Sequence, residues 1–222
     1  MSDSLFRYMS SKYAEAFVRR GEVLFRALSF YRDYEDEGVR SDEFEGTRLH
    51  RPNDGLKVTK VATGEVVSLP HSFESTARED DIFVYCLSTT HSAALAEKFN
   101  ADTCVEIHEP VAFIARIRSA LAVRPSIKNK RLEYGPVKYY APHDPPIVDW
   151  ALPERIALSK PSAFAWQGEY RIAFAINGAF NVENVQVRLV SPGERRKPRS
   201  TDHPQRLFTL GSMAKLCTIH RF

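Results

Sequence analysis

The chain has 222 residues, 43% of them hydrophobic and 27% charged, enough to bury one sizeable core and too few to demand two. No run approaches the roughly 18 to 20 consecutive apolar residues of a membrane-spanning helix, and the N-terminus shows neither a basic leader nor an apolar signal core. These features predict one soluble, cytoplasmic domain over 1–222 with no membrane partner; the formal charge of +3 permits contact with nucleic acid or an acidic protein and dictates neither.

Leu5 to Tyr8 reads as a short strand, and Ser10 or Ser11 caps an amphipathic helix that sets Tyr13, Ala14, Phe17 and Val18 on one face and ends at Gly21. Glu22 to Ser29 is a second strand, leading into the aromatic and acidic segment Phe30-Tyr31-Arg32-Asp33-Tyr34-Glu35. Gly38 to Asp54 is polar and reads as a long loop. Leu56 to Val61 and Glu65 to Leu69 alternate as the arms of a hairpin, with Gly64 supplying a positive φ in the turn. Ile82 to Leu87 predicts a buried strand, Ser92 to Phe99 a short helix, Thr103 to His108 a strand, and Pro110 to Leu121 a helix opened by its proline. Leu132 to Tyr140 and Tyr170 to Ile176 are further strands, with a helix at Ile147 to Leu158 weakened by Pro153. Val185 to Val190 and Lys215 to His220 complete the strands, and Ser191 to Gln205 reads as a mobile basic linker. Strands outnumber helices and hairpins mix with crossovers, so the class is α+β, two packed antiparallel-rich sheets with flanking helices.

Cys86, Cys104 and Cys217 each sit in an apolar or β-branched run without paired spacing. That predicts reduced, buried thiols and neither a disulfide framework nor a zinc site. His71, His91, His108 and His143 have no metal-ligand spacing, and no phosphate-binding loop, dinucleotide glycine fingerprint or serine elbow is present.

Three segments place a polar residue in or at the end of an apolar strand, where it needs a reason. Arg7, between Phe6 and Tyr8, is either a strand-end surface arginine or a bidentate phosphate ligand beside a cleft. Ser29, before Phe30 and Tyr31, is either a turn or cap hydroxyl or a ligand contact next to an aromatic wall. In Trp166-Gln167-Gly168-Glu169-Tyr170-Arg171, an extended backbone projects Gln167 and Glu169 toward one face. Glu169 and Arg171 form either a same-face ion pair or part of a site walled by Trp166 and Tyr170.

These stretches resemble a family of uncharacterised, mostly bacterial proteins, a domain of unknown function. The matching residues are Phe6-Arg7-Tyr8, Leu28 to Glu35, Cys86-Leu87-Ser88 and Trp166 to Arg171. The order of an early strand arginine, a strand-end serine and a late strand glutamate also resembles the arginine-serine-glutamate class of ADP-ribosyltransferases. Three departures stand out: Arg32-Asp33-Tyr34 replaces Asn-Asp-Pro, Ser29 stands alone in place of Ser-Thr-Ser, and Gln167 takes the first position of the Glu-x-Glu pair.

The resemblance implies a split-sheet fold and NAD as co-substrate. In it Arg7 and Tyr8 belong to the NAD site, Arg7 on the pyrophosphate; Ser29 holds the nicotinamide ribose, and Phe30 or Tyr31 stacks on the nicotinamide. Glu169 bonds the ribose 2′-hydroxyl and stabilises the growing charge on the sugar, while Gln167 orients an unidentified protein or nucleic-acid acceptor. A Gln-x-Glu pair resembles transferases that modify amides, thiols or nucleobases. NAD hydrolysis is the close alternative, and a toxin, a phage-defence effector and a housekeeping enzyme all fit. Two other readings stand beside it: a nucleotide or nucleic-acid binding module without chemistry, and a metal-dependent nuclease using Asp33, Glu35, Glu43 and Glu45. The transferase reading predicts Arg7 and Glu169 on adjacent strands facing one cleft, and side chains on opposite faces of the fold would remove it.

Overall fold

The computed structural model describes residues 4–33, 42–147, 151–192, 194 and 202–222. The chain begins β1 (Leu5–Met9), α1 (Ser11–Arg20), β2 (Glu22–Ala27), α2 (Leu28–Asp33), β3 (Thr47–His50), β4 (Leu56–Thr59), β5 (Val66–Leu69), β6 (Ser72–Thr76) and β7 (Ile82–Ser88). It continues α3 (Ala93–Lys98), β8 (Thr103–Ile107), α4 (Pro110–Ala122), β9 (Leu132–Pro136), β10 (Lys138–Tyr140), α5 (Pro153–Ala157) and β11 (Ser159–Pro161). After a 3-10 helix (Ser162–Gln167) come β12 (Glu169–Ala175), β13 (Gln186–Val190), β14 (Gln205–Thr209) and β15 (Cys217–Arg221). The fold is α+β and mostly sheet, and among the described residues no helix is long and apolar enough to cross a membrane.

Among the described residues there are four hydrogen-bonded sheets where two were expected: one of eight strands, one of three, and two of two. All pairings are antiparallel except β10 with β11. In the large sheet β7 is the hub. Along one edge it pairs with β12 from Ile82 to Ser88. The opposite edge is shared, with β2 taking Phe83 and Val84 and β1 taking Ser88. β1 and β2 therefore part beside Tyr85, Cys86 and Leu87, and the sheet forks there.

Alternation along β7 explains why its whole run is apolar. Phe83, Tyr85 and Leu87 enter the main core, whereas Ile82, Val84 and Cys86 face a second cluster with Leu28, Ala173 and Ala175. The main core is aromatic: Phe174 stacks on Phe83 at 5.2 Å and meets Phe25 and Phe208 edge-on at 5.2 and 5.6 Å. Helices α1 and α4 cover this face, α4 through Phe113, Ile114, Ile117 and Leu121 at helical spacing. Tyr13, placed on the buried face of α1 by its spacing, is 59% exposed. Gly21 ends α1 at φ 66°, and a Cβ there would sit 2.3 Å from the Gly211 carbonyl oxygen, so only glycine fits.

Several boundaries differ from the sequence reading. β2 stops at Ala27, because Leu28 and Tyr31, three residues apart, both pack on the second cluster and pull the segment into a helix. β3 lies inside the segment read as a loop, and it pairs with β6, which is polar enough to have escaped notice. The strand at Leu132 to Tyr140 divides at Val137: β9 joins β12, and β10 pairs with β11. Pro153 starts α5 at its first turn, where a missing N–H costs nothing, and α5 ends at Ala157. Most of the basic linker, with Tyr34, Glu35 and part of the expected helix at Ile147 to Leu158, lies outside the described residues.

Phe174→Ala empties the contact point of these rings, and is expected to cost about 3–5 kcal/mol of unfolding free energy. Urea denaturation of the variant checks it; a loss below about 1 kcal/mol would mean that the rings collapse into the space.

Candidate functional site

Gln167 is the last residue of the 3-10 helix, and Gly168 at φ 50° reverses the chain into β12. Gln167 and Glu169 therefore reach one place through a left-handed turn, not through strand alternation. Both side chains are buried, and both are held by Lys160, whose Nζ donates to Gln167 Oε1 at 2.9 Å and to Glu169 Oε2 at 3.1 Å. Arg171 Nε donates to Glu169 Oε1 at 2.7 Å, and its Nη1 and Nη2 grip Glu45 at 2.7 Å each. Arg171 Nη1 also donates to the Ala157 carbonyl at 2.8 Å.

Burial by itself would push the Glu169 carboxyl up; Arg171 and Lys160 outweigh it and hold the group at about 2. Glu169 is thus an ionised carboxylate at any physiological pH. Lys160 is held above the ordinary lysine value, since Glu169, Glu45 and Asp42 outweigh its burial. The same two glutamates more than offset burial at Arg171.

Arg7 meets this floor through the fork. Its Nη1 donates to the Cys86 carbonyl at 2.5 Å, at the stretch of β7 flanked by neither β1 nor β2, and its guanidinium lies 4.8 Å from the Tyr85 ring. Strand register puts Glu169 opposite Ser88 and Ser88 opposite Phe6, so Glu169 shares a face with Phe6 and not with Arg7. The expectation of adjacent strands is therefore corrected: β7 lies between β1 and β12. Even so, Arg7, Tyr8, Phe30, Tyr31, Gln167 and Glu169 all line one cleft of about 1240 Å³, which passes through the fork.

The remaining expected residues divide. Tyr31 lies at the floor, its hydroxyl hydrogen-bonded to the Cys86 side chain, and burial raises it well above the usual phenol value. Cys86, expected buried, is half-buried on the cleft wall; Cys104 and Cys217 are buried, and all three are free thiols. Burial first, then Glu169, pushes the Cys86 thiol up to about 12. Tyr8 spends its hydroxyl on structure, donating to the Thr90 carbonyl and accepting from the Ser92 N–H at the start of α3. Ser29 is buried in α2 at 3.3 Å from His203 Nδ1, and it is not among the lining residues, contrary to the strand-end position expected of it. Phe30 carries the Arg26 guanidinium 4.0 Å from its ring centre, so one face of the ring is covered.

The acidic residues suggested for a metal do not converge. Glu45 is committed to Arg171, Asp33 accepts two hydrogen bonds from Arg32, and Glu43 is exposed. Glu35 lies outside the described residues, among which no group of three His, Cys, Asp or Glu side chains is placed to hold a metal ion.

Lys160 and Asp42 are the functional candidates that the sequence did not disclose, and Glu45, suggested there for a metal, serves Arg171 instead. Asp42 is buried beside Glu45, its Oδ1 accepting from the Phe44 N–H while its Oδ2 has no hydrogen-bond partner. A search against family models, characterised proteins and solved structures finds no match for the chain.

Burial, reinforced by Glu45, raises the Asp42 carboxyl from 3.8 to about 7. Between those values the folded chain holds a proton that the unfolded chain has released, so stability falls as pH rises through the window. The penalty is absent below the lower value and complete above the upper one. Asp42→Asn is expected to flatten that part of the stability profile, measured by urea denaturation across the window. An unchanged slope would place the proton elsewhere.

Proposed function

We propose that this protein is an NAD-dependent ADP-ribosyltransferase, or the closely related NAD glycohydrolase, acting in the cleft at the fork of the large sheet. The observation that carries the reading is the pairing of a carboxylate kept ionised at the floor, Glu169, with a cation at the fork, Arg7, in a cleft roomy enough for a dinucleotide. The fork itself supports the likeness to a split-sheet fold.

Arg7 binds the pyrophosphate, and Tyr31, not Phe30, supplies the ring against nicotinamide, because Arg26 covers a face of Phe30. Glu169 accepts a hydrogen bond from the ribose 2′-hydroxyl and opposes the positive charge that develops as the bond from sugar carbon to ring nitrogen breaks. The electron pair of that bond leaves with nicotinamide. Lys160 and Arg171 fix the carboxylate, so it has no reorganisation to undergo during the reaction. Gln167 orients the acceptor.

A second reading is favoured by the same contacts. Both Glu169 oxygens already receive charged hydrogen bonds, so part of their field is spent on Arg171 and Lys160. A cleft of this kind also suits a nucleotide-binding module without chemistry.

Nicotinamide release from NAD by the pure protein separates the two. Glu169→Gln keeps the shape and removes the charge, and is expected to lower that release on the order of 10²-fold while NAD binding survives. Gln167→Ala is expected to depress labelling of acceptors in a cell extract by more than it lowers nicotinamide release. Wild-type protein that binds NAD and never releases nicotinamide would leave the binding module standing.

A further inference from the structure

Lys160 changes what the acceptor side of the site can accept. It enters on β11 through the parallel pairing with β10, in which Tyr139 sits opposite it and Lys138 and Tyr140 flank. The Tyr139 hydroxyl in turn accepts from the Glu169 N–H at 2.8 Å, which ties the two segments together. Only 3% of Lys160 is exposed, and its ammonium bonds the side-chain oxygens of both Gln167 and Glu169. With Gln167 orienting the acceptor, as in the proposed function, a cation stands beside the acceptor's approach to the sugar.

The groups around that point share a second property. Gln167 is an amide and takes no proton. Lys160 is held as a cation, Cys86 and Tyr31 are held protonated, and Glu169 is too weak a base to remove a proton from a neutral nucleophile. His203 also lines the cleft, but its ring is tied to α2, with Nδ1 at 3.3 Å from Ser29 Oγ and Nε2 at 3.9 Å from Asp33 Oδ2. Among Gln167, Lys160, Cys86, Tyr31 and Glu169 a neutral acceptor meets no base, Asp42 does not line the cleft, and a guanidinium or ammonium acceptor meets the like charge of Lys160.

An acceptor that is already anionic needs no base and is attracted by Lys160. The ammonium is shared with Glu169, so it matches a single negative charge better than the double charge of a phosphate monoester. Phosphodiester oxygens match the charge and are weak nucleophiles. We propose that the acceptor is a carboxylate, an aspartate or glutamate side chain of a protein, and that Lys160 selects it.

The proposal rests on the transferase reading. In the step, a carboxylate oxygen forms a bond to the sugar carbon that nicotinamide leaves, and the electron pair of the broken bond departs on the nicotinamide nitrogen. An ester results, and no proton moves.

The test uses the whole chain, NAD labelled in its adenylate half, three peptides that differ only in carrying Glu, Gln or Arg, and a 5′-phosphorylated oligonucleotide. The Glu peptide is expected to take label at least about 10-fold faster than the others, in a bond that neutral hydroxylamine cleaves. Lys160→Met is expected to lower the ratio of Glu-peptide labelling to nicotinamide release by about 10-fold, and Lys160→Arg, which keeps the charge, to restore much of it. Label on the Gln or Arg peptide or on the oligonucleotide overturns the proposal, as does an unchanged ratio in a folded Lys160→Met. The peptide comparison on wild-type protein decides even where that variant fails to fold. Nicotinamide release with no peptide labelled overturns the acceptor assignment and leaves the glycohydrolase standing, whereas no release at all removes both readings together.

Discussion

The arrangement turns on a guanidinium with no contact with solvent. Arg171 is wholly buried in β12, and a charge in that position is tolerated only when its donors are met by good partners. They are met by Glu169 two residues away, by Glu45 at the end of a turn 126 positions back, and by a carbonyl at the end of α5. Three distant segments are thereby fixed to one point. The fit is demanding, because a partner displaced from the planar fork of donors leaves an unpaired ion in the interior. Glu169 is rigid for this reason, and its ionisation follows from the same contacts.

The second constraint is the division of one edge of β7 between β1 and β2. A sheet that continued past Cys86 would offer its carbonyl a backbone N–H; at the fork that partner is the Arg7 side chain. The opening that makes the cleft and the arginine that lines it are thus one feature. The fork also gives Arg7 and Glu169 a common cavity although strand register sets them on different faces.

The strands and helices that were legible in the sequence are those whose burial is apolar. β7, β8, β12, α1, α4 and the β4–β5 hairpin announce themselves by runs or periods of Ile, Val, Phe and Leu. β3 and β6 do not, because Glu74, Ser72, Ser75, Thr47 and Arg48 are buried through tertiary contacts that no local pattern encodes. α2 has six residues, too few for a period, and two of its side chains decide its conformation only by meeting the second core cluster.

The candidate site divides in the same way. From the sequence alone came Arg7, Ser29 and Glu169, singled out because a polar residue beside apolar strand neighbours needs a partner, and Gln167 by its spacing to Glu169, together with the α+β class and the thiols without disulfide partners; of these residues Ser29 lies off the cleft. Lys160 and Asp42 were invisible there, and Glu45 was named only for a metal: a lysine between Ser159 and Pro161 and acids in a polar stretch carry no signature of a buried ion pair. Folding alone brings them to Glu169, and folding alone sets its charge, since ionisation in the interior depends on which groups of opposite sign lie within a few ångströms and how much water they displace. Sequence determined which residues had to find partners; the tertiary structure decided which partners, because an ion pair between positions 45 and 171 depends on the path of all the chain between them.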